Sequence, residues 1–468
     1  MLQVKLSILM GRPMSADPIS TVLDFDKLRD IADQEAARLN FMIPKSLELG
    51  KRAHKSQPNG VAMPWMTGLY EHAPIYVTSG DKGWFEDVDG NRYLDMNQSD
   101  LASALGMAPP AITQAIAEQA AKGGIFLLPG EQDIDVTEML AERSGLPFWQ
   151  FTGSASASNA EVLRMARVAT GREKIVMFEG KYHGHLDDTL IIEKDGACVH
   201  EGRGLAKGSL AHARIIQFND LVALEAALAP GDVACVIAEP MLTNCNIVLP
   251  DDGFWEAART LCHDMGTLLV IDEAHTFAFG YGGLVSEWSI KPDVQVLGKG
   301  LGSGFPFSAY GMTNELGKLC EQYLDRDRKD EAGLMTGGTT YANALAMAVA
   351  KAALQNCLRK EDYERTALLG TQLADGLEVL FDKRGLDWSA PRVGGRSGWV
   401  MSRSQPRTSR EATSSLAPEF TKAKRLFMAT RGVWEAISSA GPAASFAHTE
   451  DDISHYLDVS DAFLDAIL

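Results

Sequence analysis

The chain has 468 residues, 46% of them hydrophobic and 23% charged, enough to bury a large core and to divide into two or more domains. A formal charge of −18 excludes nucleic acid or an anionic membrane surface as the main partner, while local basic sites for small anions stay allowed. Six cysteines, at 198, 235, 245, 262, 320 and 357, form no Cys-x-x-Cys pair and no metal-ligand spacing, the pattern of a reduced, cytoplasmic chain.

The first ten residues lack a strong basic leader and a small-residue cleavage site, so no signal peptide is expected, and Met10 and Met14 are alternative starts. Residues 21–55 carry apolar positions at helical spacing (Leu23, Phe25, Leu28, Ile31, Ala32) and predict an arm suited to packing on another subunit. Residues 60–70, GVAMPWMTGLY, are apolar, aromatic and turn-rich; they line a pocket or tuck beneath a sheet. A small meander is expected over 75–96 with a turn at Asp89-Gly90-Asn91, then helices over 109–122 and 133–143.

The small-residue run 153–158 precedes an amphipathic helix that ends near Thr170. Such a run leaves N–H groups and hydroxyls for an anion, or is an ordinary serine N-cap. After a strand at 174–178 comes Gly-Lys-Tyr-His-Gly-His. His183 and His185 without a third ligand make no metal site, whereas Tyr182 at a strand exit is placed to stack on an aromatic ligand. No stretch is apolar enough over sufficient length to span a bilayer.

Three apolar runs, 233–238, 267–271 and 294–297, each stop at or just before one charged residue: Glu239, Asp272 and Lys299. Continuous apolar runs of that length predict buried parallel strands, and the helical pattern over 252–265 makes them a βαβ series. Ligands in open α/β sheets sit beyond the carboxyl ends of the strands, so these residues would share a crevice. A lysine between Gly298 and Gly300 in a desolvated pocket is a Schiff-base candidate, and a buried aspartate beside it suits a protonated pyridine nitrogen. The tetrad Asp-Glu-Ala-His at 272–275 also occurs in helicases, but the chain has no P-loop ending in Gly-Lys-Ser/Thr. Further on, a glycine-rich turn is expected up to Tyr310. A second small-residue cluster, Gly337–Thr340, precedes an alanine-rich helix at 344–356. Helices then alternate with extended segments at 393–401 and 445–448, and 406–415 reads as a surface loop.

These residues together resemble the class III aminotransferases, fold-type-I pyridoxal-phosphate enzymes, from about Ile75 to the C-terminus. The most specific match is KGLGSGFPFSAYG at 299–311, similar to the segment after the Schiff-base lysine in glutamate-1-semialdehyde aminomutases and in D-phenylglycine and β-amino-acid aminotransferases. The resemblance implies an α/β fold: a large domain (101–345) with a mostly parallel sheet flanked by helices, and a smaller α+β domain from both chain ends (1–100 and 346–468). It implies pyridoxal 5′-phosphate on Lys299, with Asp272 on the pyridine nitrogen, Ala274 and Tyr182 on the two ring faces, and Glu239 in the supporting shell. Ser154, Ala155 and Ser156 would hold the phosphate, although the family's Ser-Gly-Thr-Glu here reads Ser-Ala-Ser-Ala. Thr339, matching an element that the neighbouring subunit supplies, implies a homodimer sharing its active sites. Phe446–Ile453, similar to the family's closing signature, reads as a structural turn.

Transamination between an amino donor and a keto acceptor is the expected activity. A lyase, racemase or aminomutase of the same family is the alternative, and an idle binding homologue is disfavoured by intact Lys299 and Asp272. The aminomutase's carboxylate-binding arginine falls on Met66, which cannot form a bidentate pair; Trp65, Met66 and Tyr70 suit an apolar or bulky substrate part. Arg396, in Gly-Gly-Arg-Ser-Gly at 394–398, resembles an arginine in the corresponding stretch of D-phenylglycine aminotransferase, which makes it the candidate for a substrate carboxylate ahead of Arg403 and Arg431. His275 is read as a satisfied core histidine rather than a polar neighbour of the cofactor.

Overall fold

In the computed structural model the described residues are 23–68, 72–324, 333–414, 417–437 and 441–468; the initial segment and Tyr70 lie outside them. A seven-stranded sheet forms the centre, with strands β1 Phe148–Thr152, β2 Lys174–Phe178, β3 Ala213–Ile216, β4 Val233–Ala238, β5 Leu268–Glu273, β6 Val294–Leu297 and β7 Ser308–Met312. Their spatial order is β1-β7-β6-β5-β4-β2-β3. All pairings are parallel except those of β7, which runs antiparallel to β6 and β1.

The six residues of β4 are all buried, and Val294–Leu297 likewise. Helices cover both faces of the sheet, so its middle strands must be apolar on each side, and each buried valine or isoleucine contributes about 1.5–3 kcal/mol. One face packs against Phe254, Trp255, Ala258 and Cys262 of the helix Phe254–Asp264, the crossover between β4 and β5. The other packs against Val162, Leu163, Met165 and Ala166 of α1, Ala155–Thr170. The helix Ala344–Asn356 joins a further core with Leu105, Leu140 and Leu301.

A second core is drawn from both chain ends. Leu28, Leu39 and Ile43 meet Leu373, Phe381, Trp399, Phe420 and Phe463 there, beside the antiparallel strands Val77–Asp81, Trp84–Asp87 and Arg92–Asp95. Val433–Trp434 adds in parallel to the third strand, so the smaller unit is α+β and closes only when the C-terminal segment returns. No helix among the described residues is long and apolar enough to cross a membrane.

Four expectations need correction. Residues 308–312 form β7 rather than part of a glycine-rich turn, because Ala309, Tyr310 and Met312 find buried places between β6 and β1. Ser445–His448 is a turn region rather than a strand, with only Ala443 bridging to Arg396. Extended pairing near 393–401 shrinks to Arg392–Val393 with Arg396–Ser397 and a single antiparallel bridge from Val400 to Ser389. The segment taken for a surface loop contains a short helix, Ser409–Ser414, which buries Ser409 and Ala412.

Candidate active site

Strand register brings the three charged strand ends to one edge of the sheet. Ala238 of β4 pairs with Ile271 of β5, so Glu239 and Asp272 stand level. Glu273 pairs with Leu297 of β6, so Lys299 projects two residues beyond. Lys299 begins a 3₁₀ turn, Lys299–Gly302, at φ 43°. A left-handed conformation costs a non-glycine residue about 1–2 kcal/mol, and strain of this kind gathers at functional sites.

Asp272 is 3% exposed. Its Oδ2 accepts hydrogen bonds from Asn159 Nδ2 at 2.8 Å and His183 Nδ1 at 3.0 Å, and its Oδ1 accepts one from Ala274 N at 3.0 Å. Burial alone would raise its pKa; the His183 and Asn159 donors and the Ala274 amide outweigh burial and hold the carboxyl below its usual range. An acid kept ionised in a dry pocket suits a cationic ring nitrogen.

Ser154 caps α1, its extended backbone letting Oγ accept from Ala157 N at 3.3 Å. The first helical hydrogen bond is Ser158 N to Ser154 O, so the N–H groups of Ala155 and Ser156 lie ahead of it, at the positive end of the helix dipole. Ser156 Oγ already accepts from His185 N at 3.1 Å. A Cβ on Gly184, at φ 91°, would fall 2.4 Å from that hydroxyl, so the loop holding Tyr182 needs glycine there. At Gly298 a Cβ would lie 3.2 Å from Ala155 Cβ and 3.5 Å from Ala274 Cβ, so the helix start and the residue after Asp272–Glu273 both come close to the backbone before Lys299.

Glu239 is a positioning acid. Its oxygens accept from Tyr182 N at 3.0 Å, Thr243 N at 3.1 Å and the Thr243 hydroxyl. Tyr182 is 37% exposed, and burial, followed by the charges of Asp100, Glu201 and Asp272, raises the pKa of its phenol. His275 is a buried histidine with both ring nitrogens partnered, and one partner is the lysine itself: its Nε2 lies 2.5 Å from Lys299 Nζ and its Nδ1 2.5 Å from Thr243 Oγ1. Asp100 completes the group, with Oδ2 3.2 Å from Lys299 Nζ and 3.6 Å from His275 Nε2. Burial would push Asp100 up, but Lys299 and His275 hold it well below the ordinary carboxylate range.

Arg396 is buried behind this cluster, donating to Thr243 O at 2.6 Å, and desolvation pushes its pKa down to about 10. The two other arginines point elsewhere: Arg403 pairs with Asp382 on the surface, and Arg431 pairs with Glu35 at 2.9 Å. Trp65 and Met66 stand on an exposed turn, Pro64–Gly68, at 42% and 39% exposure, and Thr339 is exposed in a turn after Gly337, whose N–H donates to Glu161. Among the described residues no group of three His, Cys, Asp or Glu side chains forms a metal site; His183 instead orients Asp272.

A phosphorylated pyridine aldehyde fits these residues, with a helix start for its phosphate, Asp272 for its nitrogen, the small Ala274 for a ring face and Lys299 for its carbon. Sequence reasoning missed Asp100, Asn159 and Thr243 and assigned His183 no role beside Asp272. The usable signal was the alternation along 272–275 at a strand end; Asp100 and Thr243 carry no local signal.

Residues 67–413 match the family Aminotransferase class-III. Over 359 residues, 75% of this chain and 80% of the relative, the chain is 32% identical to a glutamate-1-semialdehyde 2,1-aminomutase of Rhodopirellula baltica. A crystal structure of a glutamate-1-semialdehyde aminomutase from Pseudomonas aeruginosa superposes with TM-score 0.91 at 30% identity, covering 96% of this chain and all of that one; a variant of that enzyme is known in complex with PMP. An omega-transaminase from Sphaerobacter thermophilus gives TM-score 0.82 at 25% identity, over 90% of this chain and 97% of the other.

Proposed function

The chain belongs to the class-III aminotransferase family, whose cofactor is pyridoxal 5′-phosphate, and from that premise we propose how its residues share the reaction and what they act on. When bound, the coenzyme supplies an aldehyde for exchange with amines and a ring that accepts the electron pair of a deprotonated carbon. Lys299 holds it and, once displaced by a donor amine, removes the proton from the donor's carbon. Asp272, fixed by His183 and Asn159, keeps a charge opposite the ring nitrogen. Ser154, Ala155 and Ser156 bind the phosphate, while Ala274 and Tyr182 enclose the ring. The observation carrying this reading is the approach of Ala155 and Ala274 to Gly298, the residue before Lys299.

The donor is an amino acid or amine with an apolar or bulky part, which Trp65 and Met66 receive, and Arg396 binds its carboxylate; a keto acid is the acceptor. The enzyme works in the cytoplasm, in keeping with six free cysteines. It acts as a homodimer in which Thr339 reaches the partner's phosphate, a reading supported by the exposed apolar run Ile125–Leu128. Aminomutation is the second reading, favoured by the likeness to aminomutases, but an uncharged Met66 is ill suited to that substrate's carboxylate.

A spectral screen tests the choice. Amino acids and amines are added to coenzyme-loaded protein with and without pyruvate or 2-oxoglutarate. Loss of the visible band with a donor alone, and its return with a keto acid, is expected. Turnover that proceeds without any keto acid would replace transamination by the second reading.

A further inference from the structure

We infer that His275 is a catalytic residue that takes the proton of the Lys299 ammonium, and that Thr243 and Glu239 are positioning residues that set the imidazole tautomer for this task. The inference rests on Lys299 being the reacting amine, and it begins from Glu239. Each oxygen of that carboxylate accepts a backbone N–H, from Tyr182 and from Thr243, so the Thr243 hydroxyl beside it donates its own proton to Oε2. With that proton committed, Thr243 Oγ1 is left as an acceptor. Asn244 Nδ2 points to it at 3.4 Å, and His275 Nδ1 stands 2.5 Å away and must donate. A neutral imidazole with its proton on Nδ1 has a lone pair on Nε2, which faces Lys299 Nζ at 2.5 Å.

The transfer balances simply. One N–H bond breaks at Lys299 Nζ and one forms at His275 Nε2, leaving a neutral amine beside an imidazolium. Asp100, 3.6 Å from Nε2, offsets the new charge. Lys299 and Asp100 face the imidazole directly, Glu239 reaches it through the Thr243 hydroxyl, and Arg396 interacts with Asp100 and Glu239 together. A protonated Lys299 cannot remove a proton from the donor, so the step requires the acceptor that His275 Nε2 offers beside Nζ.

The test combines two readouts on the full-length protein. Nitrogen-15 NMR of histidine-labelled protein at about pH 8, assigned through His275→Gln, is expected to show the Nδ1-protonated tautomer before coenzyme is added. Thr243→Val should disturb it and Thr243→Ser restore it. In single-turnover reactions with an amino donor, His275→Gln should slow donor deprotonation about 100-fold near neutral pH and move the rise of rate with pH to higher pH. An Nε2-protonated tautomer in the unaltered protein, or a pH profile unchanged by His275→Gln, would overturn the inference. If the reading of Lys299 itself fails, the sign is different: no visible band on adding pyridoxal 5′-phosphate, with Lys299→Ala no different.

Discussion

His183 Nδ1 lies 3.0 Å from Asp272 Oδ2, and both side chains are withdrawn from solvent, at 0% and 3% exposure. The ring therefore acts on Asp272, which it helps to hold together with Asn159 and the Ala274 amide. His183→Phe keeps the volume and removes the donor, leaving a buried carboxylate on Asn159 and one amide. A loss of about 1–3 kcal/mol is expected for removing one hydrogen-bond donor from a buried acceptor, read as a lower urea midpoint, together with weaker coenzyme retention. Asp272→Asn should still take up coenzyme yet slow donor deprotonation by about 100- to 1,000-fold in stopped-flow.

Asp100 sits in a run of four left-handed residues, Gln98, Ser99, Asp100 and Leu101, at φ 55°, 50°, 58° and 64°. The Asp95 carboxylate holds the turn by accepting N–H groups of Asn97, Gln98 and Ser99. Burial opposes ionisation of Asp100, but Lys299 and His275 overcome it and depress its folded pKa. The unfolded chain then binds more protons as pH falls below the ordinary carboxylate value of about 3.9. Stability from this acid is present above that value and lost below it. Urea unfolding between about pH 3 and 6 should fall more steeply with acid for the native protein than for Asp100→Asn.

In the smaller unit, Lys424 Nζ and Glu435 Oε1 form a buried pair at 2.7 Å, with Lys424 also 4.3 Å from the centre of the Trp399 ring. Replacing Lys424 takes from Glu435 its charged neighbour at 2.7 Å and leaves it the Tyr456 hydroxyl at 3.3 Å. Lys424→Met alone should cost about 3–5 kcal/mol, and the double change Lys424→Met with Glu435→Leu should regain most of it, as measured by a double-mutant cycle in urea.

Ile125, Phe126, Leu127 and Leu128 are 45%, 54%, 72% and 77% exposed, an apolar run that water does not favour. Leu345 N donates to Gly124 O, tying the run to the segment just after Thr339. On the homodimer reading, Leu127→Glu with Leu128→Glu should shift sedimentation velocity from dimer towards monomer and weaken coenzyme binding. An unchanged dimer would place the interface elsewhere.

The residues that announce themselves along the chain are those whose roles follow from local constraints. A strand covered on both faces must be an unbroken apolar run, so β4, β5 and β6 and the charged residues ending them were legible, as was the glycine before Lys299. Ser154 and the small residues after it were legible too, since a helix start selects its cap. The proton-handling partners were decided only by the fold. Asn159 and His183 are 113 and 89 residues from Asp272, Thr243 is 32 from His275, and Asp100 is farther still from Lys299, and no periodicity links them. They meet because parallel strands joined by crossovers align distant strand ends, while the burial that drives this alignment depends on apolar pattern and is blind to which polar side chains arrive together. Strand β7 was hidden for a related reason: its glycine and serine suit a turn locally, and only its place between β6 and β1 makes it a strand.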